Sequence, residues 1–213
     1  MRVLPLTPQA IDLALSVLEG GGIVAHPTET CYGLACDLTN PSAVARLFAL
    51  KQRPGNQPVS ALFSSIADAQ CYTIWNTTAE GLAQKFLPGP LTIILSLRNN
   101  TPHAIFLIPP NEQRATSNEQ RHIGIRISSH PVAQEIVERF GKPLSTTSAN
   151  IHGQPASYSP QEIVAQFPDD PPDVLLIDDG SLPLRPPSTI IDVTGPSPQE
   201  IRRGNTITEV VDM

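Results

Sequence analysis

The sequence predicts an α/β fold in which helices flank a mixed sheet of parallel and antiparallel strands. One observation is that apolar residues with helical spacing alternate along the chain with short apolar runs typical of strands. Another is that the later strand-like runs follow one another too closely for a helix to lie between every pair, so some neighbours must be antiparallel. The 213 residues, 40% of them hydrophobic, suit one domain with a substantial core.

Four predicted helices begin with a polar residue followed by proline. A capping side chain before proline is a strong start signal, because the N–H that proline lacks would be unpaired at the first helical position. Behind the first start, Ile11, Ala14, Leu15 and Leu18 recur at helical spacing. The four starts are Thr7-Pro8, Asn40-Pro41, His130-Pro131 and Ser159-Pro160, and Glu162 completes a capping box in the last one.

Seven apolar runs are predicted to be strands. In HIGIRIS (122–128), three isoleucines alternate with Gly124, Arg126 and Ser128, so Arg126 points away from the apolar face, toward solvent or a cleft. The seven runs are GGIVAHP (21–27), QPVSALF (57–63), PLTIILSL (90–97), HIGIRIS, KPLSTT (142–147), DVLLID (173–178) and STIIDV (188–193).

Composition and motifs exclude several classes of protein. With 14 Lys plus Arg against 20 Asp plus Glu, the chain is too acidic to hold nucleic acid by bulk charge. It has no apolar run of membrane-spanning length and no secretory signal, which predicts a cytoplasmic protein. The three cysteines lack metal-ligand spacing and are expected to be reduced thiols. Sequence signatures of dehydrogenases, P-loop NTPases and α/β-hydrolases are missing.

Two hydroxyl-rich stretches lie at predicted strand ends. PTETCYGL (27–34) contains Thr28, Thr30 and Gly33, which suit a loop close to a ligand or an ordinary turn. STTSAN (145–150) follows a strand expected to be buried, where ligands bind in many α/β sheets. Its side chains suit phosphate, carboxylate or metal-bound water, and equally suit bonds to the local backbone.

Cations mark two further stretches. Lys51 and Arg53 lie at a predicted helix end before Pro54, where they would interact with the helix dipole or hold a phosphate chain. Near the C-terminus, Ser188 opens the strand in PSTIID (187–192), and Arg202 ends another in EIRRG (200–204). The polar segment 98–121 is either a surface excursion or a lid over a site.

In this order the motifs resemble those of the YrdC-like family, the threonylcarbamoyl-adenylate synthases of tRNA modification. The resemblance runs from about Ile11 to Gly204. It implies a twisted mixed sheet with flanking helices and a concave ligand cleft, in a single domain (1–213, core about 8–204) of the short form. It is carried by PTETCYGL, K-x-R (Lys51 and Arg53), LPGPLTIIL (87–95), IGIRISSHPVAQ (123–134), STTSANIHGQPAS (145–157), PSTIID and IRRG (201–204).

The resemblance implies a reaction and a set of site residues. Such enzymes form threonylcarbamoyl-AMP and pyrophosphate from L-threonine, bicarbonate and ATP, and a partner complex transfers the threonylcarbamoyl group to tRNA. The family's K-x-R and S-x-N are matched by Lys51, Arg53, Ser148 and Asn150, which the resemblance makes catalytic. It further implies that these four and Arg202 bind ATP, that Mg²⁺ is bound mainly through the ATP phosphates, and that Thr30, Arg126, Thr146 and Ser188 bind L-threonine.

The chain departs from the family pattern in one strand. Many members carry a histidine after K-x-R where this chain reads QPVSALFSS (57–65), so one threonine contact is expected to be replaced. Two alternatives to the synthase remain open from the sequence. One is an RNA-binding module of the same fold without ATP turnover, and the other is a divergent paralogue that has lost activity.

Overall fold

Eleven strands form one sheet in the part of the chain that the structure describes. The structure is a computed structural model, and it describes residues 1–54, 59–99, 101, 121–169 and 171–204. The strands are β1 (Arg2–Pro5), β2 (Ile23–His26), β3 (Gly33–Ala35), β4 (Ser60–Leu62), β5 (Thr73–Ile74), β6 (Leu91–Leu97), β7 (His122–Arg126), β8 (Leu144–Ser148), β9 (Val174–Asp178), β10 (Thr189–Asp192) and β11 (Gln199–Arg202).

The sheet is mixed, as the sequence predicts. Its order is β1-β9-β2-β3-β8-β4-β7-β6-β10-β11, and β5 pairs with β6 outside this path. Strand β9 is parallel to both β1 and β2, β4 is parallel to β7, and β6 is parallel to β10. The remaining pairs are antiparallel. Chain neighbours are therefore often separated in the sheet, and β9 lies between the first two strands.

All four predicted helix starts are confirmed. The side chains of Thr7, Asn40, His130 and Ser159 accept hydrogen bonds from the first turns of their helices, and Ser159 forms the capping box with Glu162. Two further helices, which the sequence patterns did not predict, begin after the capping side chains of Ser65 and Asn76. The helices are α1 (Pro8–Glu19), α2 (Pro41–Leu50), α3 (Ile66–Tyr72), α4 (Thr77–Phe86), α5 (Pro131–Phe140) and α6 (Pro160–Gln166).

Helices cover the sheet on both faces. The larger core cluster contains Ile125 of β7 together with side chains of α2, α3, α4 and α6. The smaller cluster packs α1 and α5 on the opposite face, against Leu62 and Leu144. Thr146 lies two residues beyond Leu144 on β8, and so points to the same face. Polar side chains thus continue the face that α1 and α5 cover with apolar ones.

Two sequence predictions fall partly or wholly outside the described residues. One is the predicted excursion or lid at 98–121, of which residues 100 and 102–120 lie outside the described residues. Of the predicted strand at 57–63, the structure describes residues 59–63 and places β4 at Ser60–Leu62. Among the described helices, none is long and apolar enough to cross a membrane.

The Tyr32 side chain ties the loop after β2 to the end of β9. It is fully buried, and its hydroxyl donates to Gly180 O at 2.8 Å and accepts from Asp179 N at 3.0 Å. Burial raises the pKa of the Tyr32 hydroxyl to about 12. The hydroxyl therefore stays protonated at neutral pH and able to donate.

We expect Tyr32→Phe to lower the free energy of unfolding by about 1–3 kcal/mol, because its hydroxyl makes two backbone hydrogen bonds that each contribute ~0.5–1.5 kcal/mol. Urea denaturation at pH 7 measures the loss. Tyr158→Phe is the matched control, since the Tyr158 hydroxyl donates to Arg185 O at 2.7 Å near the surface, where water can replace it. Equal losses in the two variants would contradict the assigned role of Tyr32.

Candidate active site

A row of small polar side chains crosses the middle of the sheet. Thr146 of β8 lies directly opposite Ser60 of β4. On β7, a Cβ added at Gly124 would lie 2.7 Å from Ser60 Oγ and 2.9 Å from Thr92 Cγ2 of β6. Thr92 Oγ1 is 3.0 Å from Ser188 Oγ, just before β10. Four neighbouring strands and the start of a fifth thus build one floor lined with hydroxyl groups.

The end of helix α2 sets the positions of Lys51 and Arg53. Gln52 N donates to Ala49 O at 3.0 Å, and Arg53 N donates to Phe48 O at 2.9 Å. These two bonds form a Schellman motif, which ends a helix with one residue in the left-handed region. Gln52 is that residue, with φ of 50°. The two cations therefore flank a tight turn instead of continuing the helix.

The Lys51 ammonium is buried against the S-x-N loop. Lys51 Nζ donates to Ser148 O at 2.5 Å and to Asn150 O at 2.7 Å. Ser148 Oγ in turn donates to Asn150 Oδ1. Burial and the nearby Arg53 guanidinium lower the pKa of Lys51 to about 8. The structure therefore joins K-x-R to S-x-N, although the two motifs are far apart in sequence.

The Arg126 guanidinium lies at the end of β7, beside the loop after β2. Its Nη2 donates to Glu29 Oε1 at 2.7 Å and to Thr30 Oγ1 at 2.8 Å. Ser128 Oγ donates to the other carboxylate oxygen of Glu29. Although burial alone would raise the pKa of Glu29, the charge and hydrogen bond of Arg126 and the Ser128 bond hold it below its usual value. Glu29 is therefore ionised at neutral pH.

Arg202 of β11 holds the residue that opens β10. Its Nε and Nη2 donate to Ser188 O at 3.0 and 2.8 Å, and Nη2 also donates to Ser188 Oγ at 2.9 Å. Burial and repulsion from Arg126 lower the pKa of Arg202. Two guanidinium groups therefore lie within electrostatic range of each other, an arrangement that a bound anion would stabilise.

The Arg53 side chain follows the tight turn at the end of α2, and a cavity adjoins the loop that carries Glu29. The Arg53 guanidinium lies 6.0 Å from the centre of the Phe48 ring, and burial lowers its pKa. A cavity of about 270 Å³ lies beside Glu29 and is lined in part by His130 and Arg185. Within the described ranges, no group of three or more His, Cys, Asp or Glu residues is arranged to hold a metal ion.

Four residues of this arrangement were not predicted from the sequence. Ser128 lies on the face predicted for Arg126, and Glu29 lies inside PTETCYGL, so both had a signal in the sequence. Ser60 and Thr92 had none, because their places depend on which strands pair and in which register. Ser60 lies in the strand where many family members have a histidine.

Comparisons with known proteins identify the family of the chain. The model of the family of Sua5, YciO and YrdC proteins, described as "Telomere recombination", matches residues 16–204. The chain belongs to this family. It is 36% identical over 160 residues to a threonylcarbamoyl-AMP synthase of Vibrio cholerae, covering 74% of this chain and 79% of the relative. A protein of the same name in Klebsiella pneumoniae is 31% identical over 167 residues, covering 77% of this chain and 82% of the relative.

Solved structures confirm the fold. The crystal structure of E. coli YciO has a TM-score of 0.81 and 25% identity, covering 98% of this chain and 97% of YciO. The structure of P. abyssi Sua5 complexed with L-threonine has a TM-score of 0.80 and 28% identity. It covers 95% of this chain, which spans 57% of the length of that Sua5 chain. The mixed sheet with flanking helices is therefore shared with both.

We expect Lys51→Met to lower the free energy of unfolding by about 2 kcal/mol. Ser148 O and Asn150 O would each lose a donor, and a buried carbonyl without a donor costs ~1–3 kcal/mol. Part of this loss is offset because methionine, unlike a buried ammonium, pays no desolvation cost for a charge. Thermal and urea unfolding at pH 7 measure the change. Lys142→Met is the control. The Lys142 side chain is 55% exposed and its Nζ lies 3.5 Å from Asp37 Oδ2. Because exposed ion pairs contribute about 0–1 kcal/mol, we expect a smaller loss in this variant. A Lys51→Met protein as stable as the wild type would contradict a stabilising role for these bonds.

Proposed function

We propose that the protein is a threonylcarbamoyl-AMP synthase, which converts L-threonine, bicarbonate and ATP into threonylcarbamoyl-AMP, pyrophosphate and water. One observation carries the proposal. Ser148 ends β8, and its partner in the sheet is Gly33 at the start of β3. The loop that leads into β3 carries Thr30, which accepts a hydrogen bond from Arg126 at the end of β7. The cluster of Lys51, Ser148 and Asn150 therefore adjoins the loop that contacts Arg126. Cations suited to a triphosphate and an arginine suited to an amino acid carboxylate are thus neighbours.

The chemistry needs position and charge more than it needs a strong base. The threonine nitrogen attacks the carbon of bicarbonate, a C–O bond breaks, and water is lost, carrying a proton from the amine, to leave a carbamate. A carbamate oxygen then attacks the α-phosphorus of ATP, and the bond from that phosphorus to pyrophosphate breaks. Negative charge gathers on the phosphates in the second step. Positioned cations that face these oxygens lower the barrier, because they need not reorganise as the charge develops.

L-threonine is proposed to bind over the hydroxyl floor. Its carboxylate pairs with Arg126, beside Thr30 Oγ1. Thr146 and Ser188 then lie on either side of Gly124, where the missing side chain brings Ser60 and Thr92 close together. Small hydroxyl groups on this floor suit the β-hydroxyl of threonine, because each can donate or accept a hydrogen bond. Ser60 is our candidate to replace the histidine contact of other family members.

ATP is proposed to bind where K-x-R meets S-x-N. Arg53 and Arg202 offer guanidinium donors for phosphate oxygens, and Ser148 and Asn150 offer a hydroxyl and an amide. Lys51 contributes positive charge and holds the loop that presents these two side chains. Arginine forks and lysine point charges are the usual partners of phosphate in proteins. We expect Mg²⁺ to arrive on the ATP phosphates.

The product is a mixed anhydride that a second protein must use. We propose that a threonylcarbamoyl transferase complex acting on tRNA is this partner, and that both work in the cytoplasm. A weak direct contact with RNA belongs to the same proposal. The formal net charge of −6 leaves any such contact to local patches of positive charge.

Pyrophosphate release by the purified protein tests the proposed function. ATP and Mg²⁺ are supplied while L-threonine and bicarbonate are omitted in turn, and the products are analysed by mass spectrometry. We expect release only when both are present, with threonylcarbamoyl-AMP among the products. A folded protein that releases no pyrophosphate and retains RNA would support the binding module instead. One that releases none and retains only ATP would support the inactive paralogue.

Two arginine variants test the assignment of the ligands. We expect Arg126→Ala to weaken L-threonine binding by roughly ten- to hundredfold, since one charge-assisted hydrogen bond contributes ~1.5–3 kcal/mol, while ATP binding changes much less. Arg53→Ala should show the reverse preference, because Arg53 is assigned to the ATP phosphates and lies at the end of α2. Calorimetric titration of each ligand against each variant measures all four affinities. Equal losses of both ligands in both variants would contradict the division of the site.

A further inference from the structure

A buried carboxylate lies among the cations of the site and has no part in the reaction as proposed. The Glu29 side chain is 7% exposed and that of Arg126 is 11% exposed, so the pair is largely shielded from water. Burying an ion pair costs desolvation energy on both partners, which close contacts and additional hydrogen bonds must offset. Such a pair inside a binding site therefore calls for an explanation in terms of the ligand.

The hydrogen bonds of Arg126 leave a defined set of donors for a substrate. A guanidinium has five N–H bonds, two of them on Nη2. Both Nη2 bonds are used, one by Glu29 Oε1 at 2.7 Å and one by Thr30 Oγ1 at 2.8 Å. Arg126 Nε is buried and has no hydrogen-bond partner among the described residues. Glu29 thus holds one nitrogen of the guanidinium while others remain for a second anion.

The Glu29 carboxylate is itself fixed from the opposite side. Ser128 Oγ donates to Glu29 Oε2, and Ser128 Oγ also accepts from His130 N at 3.1 Å. His130 caps helix α5, so the carboxylate is tied to both β7 and the start of α5. A group held at both oxygens can impose an orientation on the arginine that it binds.

The other cations explain why Arg126 needs to be held. Lys51, Arg53 and Arg202 share the site with it, and the proposed nucleotide carries a triphosphate. A mobile arginine would be attracted to the triphosphate, because the attraction grows with the charge of the partner. Arg126 would then no longer be available to the singly charged carboxylate of an amino acid.

We propose that Glu29 is a positioning residue that reserves Arg126 for the carboxylate of the amino acid substrate and keeps it from the triphosphate. This inference rests on the proposed function. It assigns Glu29 no direct contact with either substrate. If Arg126 were released from Glu29, the affinity for L-threonine should fall and the affinity for ATP should not.

Glu29→Gln tests the proposal, since it removes the charge and keeps the shape of the side chain. We expect the affinity for L-threonine to fall by roughly tenfold, the effect of about 1.4 kcal/mol. ATP affinity should stay the same or rise. Isothermal titration of L-threonine and of ATP, each alone and each with the other present, measures both. The matched control is Glu135→Gln on the outer face of α5, where Glu135 pairs with Arg139 in the open, and it should change neither affinity.

A double-mutant cycle shows whether Glu29 acts through Arg126. In the Arg126→Ala background, Glu29→Gln should have little further effect on L-threonine binding, because the residue it positions is gone. An undiminished effect in that background would overturn the proposal, and so would equal weakening of both ligands in the single variant. Unchanged L-threonine affinity in folded Glu29→Gln would overturn it as well.

Two further measurements separate failure of this inference from other failures. If Glu29→Gln does not fold, Ser128→Ala loosens the same carboxylate without removing its charge. We then expect a smaller fall in L-threonine affinity with ATP affinity retained, and the absence of such a fall would overturn the inference. A wild-type protein that binds no L-threonine, with or without ATP, would overturn the proposed function itself.

Discussion

A buried ammonium needs hydrogen-bond acceptors around it, and Lys51 finds them in the backbone of a distant loop. Its contacts with the carbonyl oxygens of Ser148 and Asn150 fix the end of α2 against the end of β8. The loop also donates a hydrogen bond to the end of α2, from His152 N to Lys51 O at 2.7 Å. Asn150 Nδ2 closes the loop on itself through Ile151 O and Gln154 O. The geometry of the site depends on this exchange of bonds.

The site holds more positive than negative charge among its described residues. Four cations lie at the ends of three elements: Lys51 and Arg53 after α2, Arg126 on β7 and Arg202 on β11. Burial lowers the pKa values of Lys51, Arg53 and Arg202. Placing like charges together in a partly buried cleft is unfavourable without counter-ions. Glu29 supplies one such counter-ion, and anionic substrates would supply the others. The free protein is thus electrostatically prepared for ligands that bring negative charge.

The sequence predicts local structure here better than it predicts assembly. Proline after a capping residue identified four helix starts, and the alternation in HIGIRIS placed Arg126 and Ser128 on one face. Helices α3 and α4 were missed because their caps, Ser65 and Asn76, lack the following proline. The contacts of Lys51 with Ser148 join residues 97 positions apart, and local patterns carry no information about such distances. The prediction that K-x-R and S-x-N share one site came from the resemblance to a family, and the spacing of residues in the chain gave no sign of it.

The place of β9 in the sheet has a consequence for how the chain is made. Strands β1 and β2 lie within the first 26 residues, but the strand between them begins at Val174. During synthesis, the facing edges of these two early strands have no partner until that distant segment emerges from the ribosome. Contacts of such long sequence separation form slowly, and exposed strand edges attract other chains in the meantime. Nascent copies of this protein therefore have a long interval in which aggregation competes with folding, and chaperones that shield strand edges would raise its yield.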